Sequence, residues 1–81
     1  MMVVSPDHSA INLDNVLTLF VQDKCVESLT PLAMHEGGLP TDVAKCCSHE
    51  AAEKVFDAII KAYERGDKVF HVPTKFYRPA D

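Results

Sequence analysis

Several signals are missing from this 81-residue chain, and each absence removes a class of function. No apolar run approaches the ~20 residues that a bilayer-crossing helix needs, so no membrane-spanning role is expected. The stretch Met1–Asp7 has neither the basic leader nor the apolar core of a signal peptide, and a cytoplasmic protein is the expectation. Cysteine is scarce and odd in number: Cys25, Cys46 and Cys47. Adjacent cysteines bridge poorly, which argues against a disulfide framework. Basic residues almost vanish from the first half, where Lys24 stands alone against six acids over residues 1–44. With a net charge of −4, general nucleic-acid binding is not expected. Glycine numbers only three, and Gly37-Gly38 has no following Lys-Ser/Thr and no strand–loop–helix frame, so it is no phosphate loop.

What remains is an ordinary globular composition, 47% hydrophobic, in a chain long enough for one small domain. A domain of this size buries only about 60–65% of its unfolded surface, so a homodimer that covers a sheet edge or an apolar face would add useful burial.

The clearest object is Ser48–Gly66. Ser48 is a favoured N-cap, Glu50 and Glu53 sit near the positive end of the helix, Lys61 and Arg65 near the negative end, and Gly66 suits the left-handed C′ position. Ala52, Val55, Phe56, Ile59, Ile60 and Tyr63 recur at helical period and are assigned to the core, against a polar face of Glu53, Lys54, Asp57, Lys61 and Glu64. The pairs Glu50–Lys54 and Asp57–Lys61 each contribute only ~0.2–0.5 kcal/mol, so burial of the apolar face must hold this helix in place.

Elsewhere the chain reads mainly as strands. Met1–Val4 is apolar and β-branched, Ser5–Ser9 is dense in turn formers, and Ala10–Leu13 alternates. Asp14-Asn15 is a bend before Val16–Val21, and Gln22-Asp23-Lys24 returns the chain into Cys25–Leu29 as a hairpin. Residues 10–21 also fit helical spacing; strand is the preferred reading. Pro31, Gly37, Gly38 and Pro40 break any long element over Thr30–Thr41, which is either an open loop or one turn capped by Thr30. Asp42–Cys47 reads as a strand, with a helix from Thr41 as its rival. Lys68–Val72 is a last strand, stopped by Pro73, and Phe70 and Val72 are assigned to the core. The expected fold is α+β: an antiparallel β-meander of about four to five strands with one amphipathic helix, about 49–65, packed on one face. Residues 1–73 form the domain and 74–81 a flexible C-terminal tail.

Two groups of residues carry a further likeness. Near the start stand Val4-Ser5-Pro6-Asp7 and Ile11-Asn12-Leu13-Asp14-Asn15-Val16; near the end stand Ser48-His49-Glu50-Ala51-Ala52 and Val69-Phe70-His71-Val72-Pro73. In these the chain resembles a family of small bacterial and phage proteins without assigned function. Such proteins open with a strand, a Ser-x-Asp turn and a second strand, and close with a Ser-x-Glu-x-Ala helix start and a short strand ending in proline. The likeness lies outside Cys25–Lys45 and the tail, and Gly37–Pro40 departs from it. It implies the meander-plus-helix fold and no catalytic residue.

Three constellations bear on chemistry. Cys46, Cys47 and His49, joined by Cys25, His35 or His71, could offer thiolate and imidazole to a tetrahedral zinc, but no C-x₂-C pair exists and neighbouring strand residues point to opposite faces. The expectation is no metal and no cofactor. Cys47 beside a helix N-terminus, with His49 near in sequence, is a candidate thiol nucleophile that still needs an orienting group and a pocket. Lys75, Phe76, Tyr77 and Arg78 interleave basic and aromatic side chains, a pattern that suits single-stranded nucleic acid or a protein groove. With no catalytic residue in view, the leading expectation is a non-enzymatic protein-interaction module with a protein partner, self-associating, an inhibitor or adaptor of a larger complex. A thiol- or zinc-dependent protein and a nucleic-acid accessory acting through the tail are the alternatives.

Overall fold

The computed structural model describes residues 1–15, 18–29 and 40–78. Six strands and one long helix follow in the order β1 (Met2–Val4), β2 (Ala10–Asn12), a 3₁₀ turn (Leu13–Asn15), β3 (Thr18–Gln22), β4 (Cys25–Leu29), β5 (Thr41–Lys45), α1 (His49–Arg65) and β6 (Val69–His71). The architecture is α+β, with the expected β-meander present as β3-β4-β5. The strands divide into two three-stranded sheets rather than joining in one, because β6 returns to the start of the chain and pairs parallel to β1, giving the order β2-β1-β6.

Local chemistry accounts for the connections. Between β1 and β2, the Asp7 carboxylate accepts from the Ser9 amide (3.1 Å) and hydroxyl, Ser5 N–H donates to the Ser9 carbonyl (2.8 Å), and His8 takes a left-handed φ of 66°. Between β3 and β4, Asp23 takes a φ of 57°, which a short polar side chain tolerates. Of the two readings of residues 10–21, strand holds at both ends with one 3₁₀ turn between them. Residues 41–45 are strand, not the start of a helix. A register shift opposite Val26 and Glu27 lets β5 bury both Val43 and Ala44, which a regular alternation would not do. The turn considered over Pro31–Glu36 lies outside the described residues.

In α1, Ser48 Oγ accepts from the Ala51 amide at 3.0 Å. At the other end Gly66 (φ 80°) donates to the Tyr63 carbonyl, and Asp67 N–H donates to the Ala62 carbonyl, the paired bonds of a Schellman closure. The helix lies on β3 and β4 and less closely on β5. Its buried face is Ala51, Ala52, Val55, Ile59 and Ala62, and this corrects the assigned core. Ala52, Val55 and Ile59 are buried as assigned, Phe56 is half-buried, but Ile60 and Tyr63 are exposed, at 38% and 67%. At about 100° per residue, the buried face is turned by roughly 60° from the stripe of large residues toward the alanines. Small Ala51 and Ala62 occupy the side of the helix turned to the sheets, where a small side chain permits a closer approach than Ile60 or Tyr63 would. On the far side of the core lie Val3, Val26, Cys46 and Val72, with Phe70 half-buried against them.

Residues 74–78, expected to begin a flexible tail, instead form a turn and a bridge. Cys47 N–H donates to the Phe76 carbonyl and Arg78 N–H to the Lys45 carbonyl, both at 2.9 Å, and Tyr77 stands opposite Cys46. The bridge follows directly on β5, and Phe76 packs on the core. Among the described residues no helix is long and apolar enough to cross a membrane.

Candidate functional site

The β5–α1 junction brings together most of the residues singled out by chemistry, yet it separates their reactive atoms. Cys46, the residue after β5, packs in the core and is fully buried, whereas Cys47 is exposed, its Sγ 4.0 Å from the Lys75 carbonyl. The His49 ring turns toward the β3–β4 turn: Nδ1 is 2.6 Å from the Asp23 carbonyl oxygen and Nε2 is 3.6 Å from Glu53. An imidazole held this way serves neither thiol as a base. Cys25 is half-buried on β4, and His71 is exposed on β6. Among the described residues no three His, Cys, Asp or Glu side chains converge as a metal set; His35 lies outside them.

Burial pushes the Cys46 thiol up to about 11, and the charge of the other two cysteines would push the same way. Burial also raises Cys25, followed by the negative charge of Asp42. An unfolded thiol ionises near 9.0 while folded Cys46 holds its proton to about 11, so the contribution is intact below pH 9 and is lost as pH rises through that window. Stability measured by urea unfolding between roughly pH 8 and pH 11 is expected to fall by about 2 kcal/mol more in the wild type than in Cys46→Ala. In the native protein a thiol reagent should modify Cys47 rapidly and Cys46 only on unfolding. Equal labelling of the two would contradict this placement.

The tail side chains have divided roles. The Phe76 ring lies on the core with Lys75 Nζ 5.0 Å and Lys54 Nζ 6.0 Å from its centroid, so it is a packing ring flanked by cations rather than a free platform for a base. Lys75 and Arg78 are exposed, and Tyr77 is half-buried.

Tyr77 forms one wall of a feature that the sequence reading missed. An open groove of about 250 Å³ runs along the outer edge of β5, lined by Ser5, Asp7, Ser9, Asp42, Lys45 and Tyr77 among others, and a neighbouring hollow of about 220 Å³ continues it between β5 and β2. The groove is where the two sheets face each other without pairing. Its polar groups are already engaged: Ser5 Oγ donates to the Val43 carbonyl at 3.2 Å, and Asp7 is held below the usual carboxylate range by the Ser9 hydroxyl and amide, with Tyr77 adding to the effect. Burial and the nearby Asp7 charge raise the Tyr77 phenol in turn. The turn-forming character of Ser5–Ser9 was legible, but its position against β5 depends on the packing of two sheets and leaves no local pattern.

On the other face of β3-β4-β5, Glu27 stands opposite Asp42, and its carboxyl is raised by burial and by the charges of Asp42 and Asp23. Comparison with protein-family models, curated proteins and solved structures returns no match.

Proposed function

We propose that this chain is a small non-enzymatic protein-interaction module of bacterial or phage type, working in the cytoplasm as an inhibitor or adaptor of a larger complex. One observation carries the reading: among the described residues, β3 is a sheet edge with none of the usual protection. Natural edges are blunted by shortness, proline, charge or a covering segment. The edge strands β2 and β6 have three residues each, and Pro73 follows β6 closely. Along β5, Ser5 and Arg78 occupy the Val43 and Lys45 carbonyls. By contrast, β3 has five residues, Thr-Leu-Phe-Val-Gln, with no charge and no proline, and no described strand lies beyond it. An edge of this kind accepts an added strand, with backbone bonds supplying affinity and side chains specificity.

The test is capture of binding proteins from the native host on tagged wild type and on Thr18→Lys/Gln22→Lys. Both positions are exposed, so the two lysines blunt the edge without touching the core. The wild type should retain a distinct protein that the variant loses. If the acidic surface meets a basic partner, retention should also weaken as salt rises. Equal retention by both chains would remove the edge from the proposal.

A further inference from the structure

We infer that the strand taken up by β3 is β3 of a second copy, paired antiparallel about Phe20 in a two-fold dimer; this deepens the interaction reading and rests on it. The pattern of the edge is self-complementary. Antiparallel pairing centred on Phe20 sets Leu19 opposite Val21 of the second copy and Thr18 opposite its Gln22, so every position meets one of its own kind: aromatic, aliphatic or polar. Such isologous contacts are what a two-fold interface requires.

The backbone agrees. Gln22 and Cys25 close the β3–β4 hairpin, so alternation turns the N–H and C=O groups of Thr18, Phe20 and Gln22 toward β4 and those of Leu19 and Val21 outward. In the dimer Leu19 of one copy exchanges both bonds with Val21 of the other. Phe20 then falls at a non-hydrogen-bonded position, where facing side chains are closest and an aromatic pair is stabilising. The side chains of Leu19 and Val21 lie on the core side of the sheet. Their alternation with Phe20 places its half-buried ring on the opposite face, beside Leu29 and Glu27.

A second, independent observation comes from α1. Among the described residues, Ile60 and Tyr63 are two of three large apolar side chains left exposed, and helical spacing puts them on the same flank as Phe56 and His49. That flank faces the β3 side, because the His49 ring reaches Asp23 in the turn that follows β3. The opposite flank carries Lys54, which reaches Phe76 by β5. A second copy joined at β3 would bring its own helix flank against Ile60 and Tyr63. Ile60 and Tyr63, which the single chain leaves in water, would be covered by this dimer, while Val69 on β6 stays outside it.

Sedimentation and light scattering should find a particle of twice the 9.0 kDa chain mass. In hydrogen exchange, the outward amides of Leu19 and Val21 should be protected in proportion to protein concentration. Thr18→Lys/Gln22→Lys sets like charges opposite each other across the two-fold and should weaken the dimer at least about tenfold. Thr18→Lys/Gln22→Glu sets opposite charges there and should recover most of that loss, a rescue specific to antiparallel pairing about Phe20. Ile60→Lys, at an exposed position that leaves the fold intact by circular dichroism, should also weaken association about tenfold.

A dimer indifferent to all three variants overturns the inference, since its interface lies elsewhere. So does a chain that stays at 9.0 kDa in concentrated solution with Leu19 and Val21 exchanging freely. In that second case, host-protein retention lost by the double-lysine variant would leave the interaction module standing without self-pairing, and retention indifferent to it would remove both.

Discussion

Ile59→Ala is expected to cost about 2–5 kcal/mol of folding stability, enough to unfold a measurable fraction of the chain at room temperature. Ile59 is 1% exposed and heads the largest fully buried side chains, in a core that otherwise consists mostly of valine and alanine. Truncation removes transfer energy and leaves a cavity beside Ala52, Val55 and Ala62 on its own helix. Alanine side chains cannot swing in to fill that space, so the cavity term stays near its full value. An 81-residue domain stands toward the lower part of the ~5–15 kcal/mol range, so the loss is a large fraction of the total. The control is the next residue. Ile60→Ala, measured in dilute monomer, should change stability by less than about 1 kcal/mol, because Ile60 is 38% exposed. Urea midpoints followed by circular dichroism read both. Equal losses at the two positions would contradict the rotated helix face.

This pair of neighbours also shows where sequence reading succeeds and where it stops. The ends of α1 were legible because Ser48 and Gly66 act through local hydrogen bonds that any helix needs, and both caps are formed. The β3–β4 hairpin was legible for the same reason, from the polar Gln22-Asp23-Lys24 between two strand-forming runs. The exact face of the helix was not. Periodicity weighs side chains by hydrophobicity, so Ile60 and Tyr63 outweigh Ala51 and Ala62, yet close approach to a sheet favours the small residue. The division into two sheets was hidden too, since the parallel pairing of Val3 with Phe70 joins the two ends of the described chain. The thiol and imidazole of the β5–α1 junction were adjacent in sequence but not in space. The groove between β2 and β5 arises from the packing of elements and from no motif. Ile60 and Tyr63 gain a physical account in the proposed dimer: a stripe can be apolar because of the assembly rather than because of the monomer core.

A chain ending at Pro73 is expected to be less stable by about 3–6 kcal/mol, with Cys46 newly open to thiol reagents. Were the last residues the loose tail expected from the sequence, their removal would cost almost nothing. The structure gives them three separable contributions. Phe76 packs on the core, and loss of a large aromatic from a half-buried site costs about 2–3 kcal/mol, less than the ~3–5 kcal/mol of a fully buried ring. The bonds from Cys47 N–H to the Phe76 carbonyl and from Arg78 N–H to the Lys45 carbonyl add about 0.5–1.5 kcal/mol each. The third contribution is coverage. Tyr77 stands opposite Cys46, whose complete burial and raised thiol pKa depend on what lies beside it. Removing the segment should let water reach Cys46 and bring its ionisation back toward 9.0, so that labelling proceeds at neutral pH without unfolding. The two readouts separate the causes. Phe76→Ala alone should reproduce roughly half of the stability loss and leave the backbone bridge in place. A truncated chain with unchanged urea midpoint and an unreactive Cys46 would mean that the segment is an appendage after all, free to act as a recognition tail; a destabilised chain with a reactive Cys46 makes residues 74–78 the last structural element of the domain.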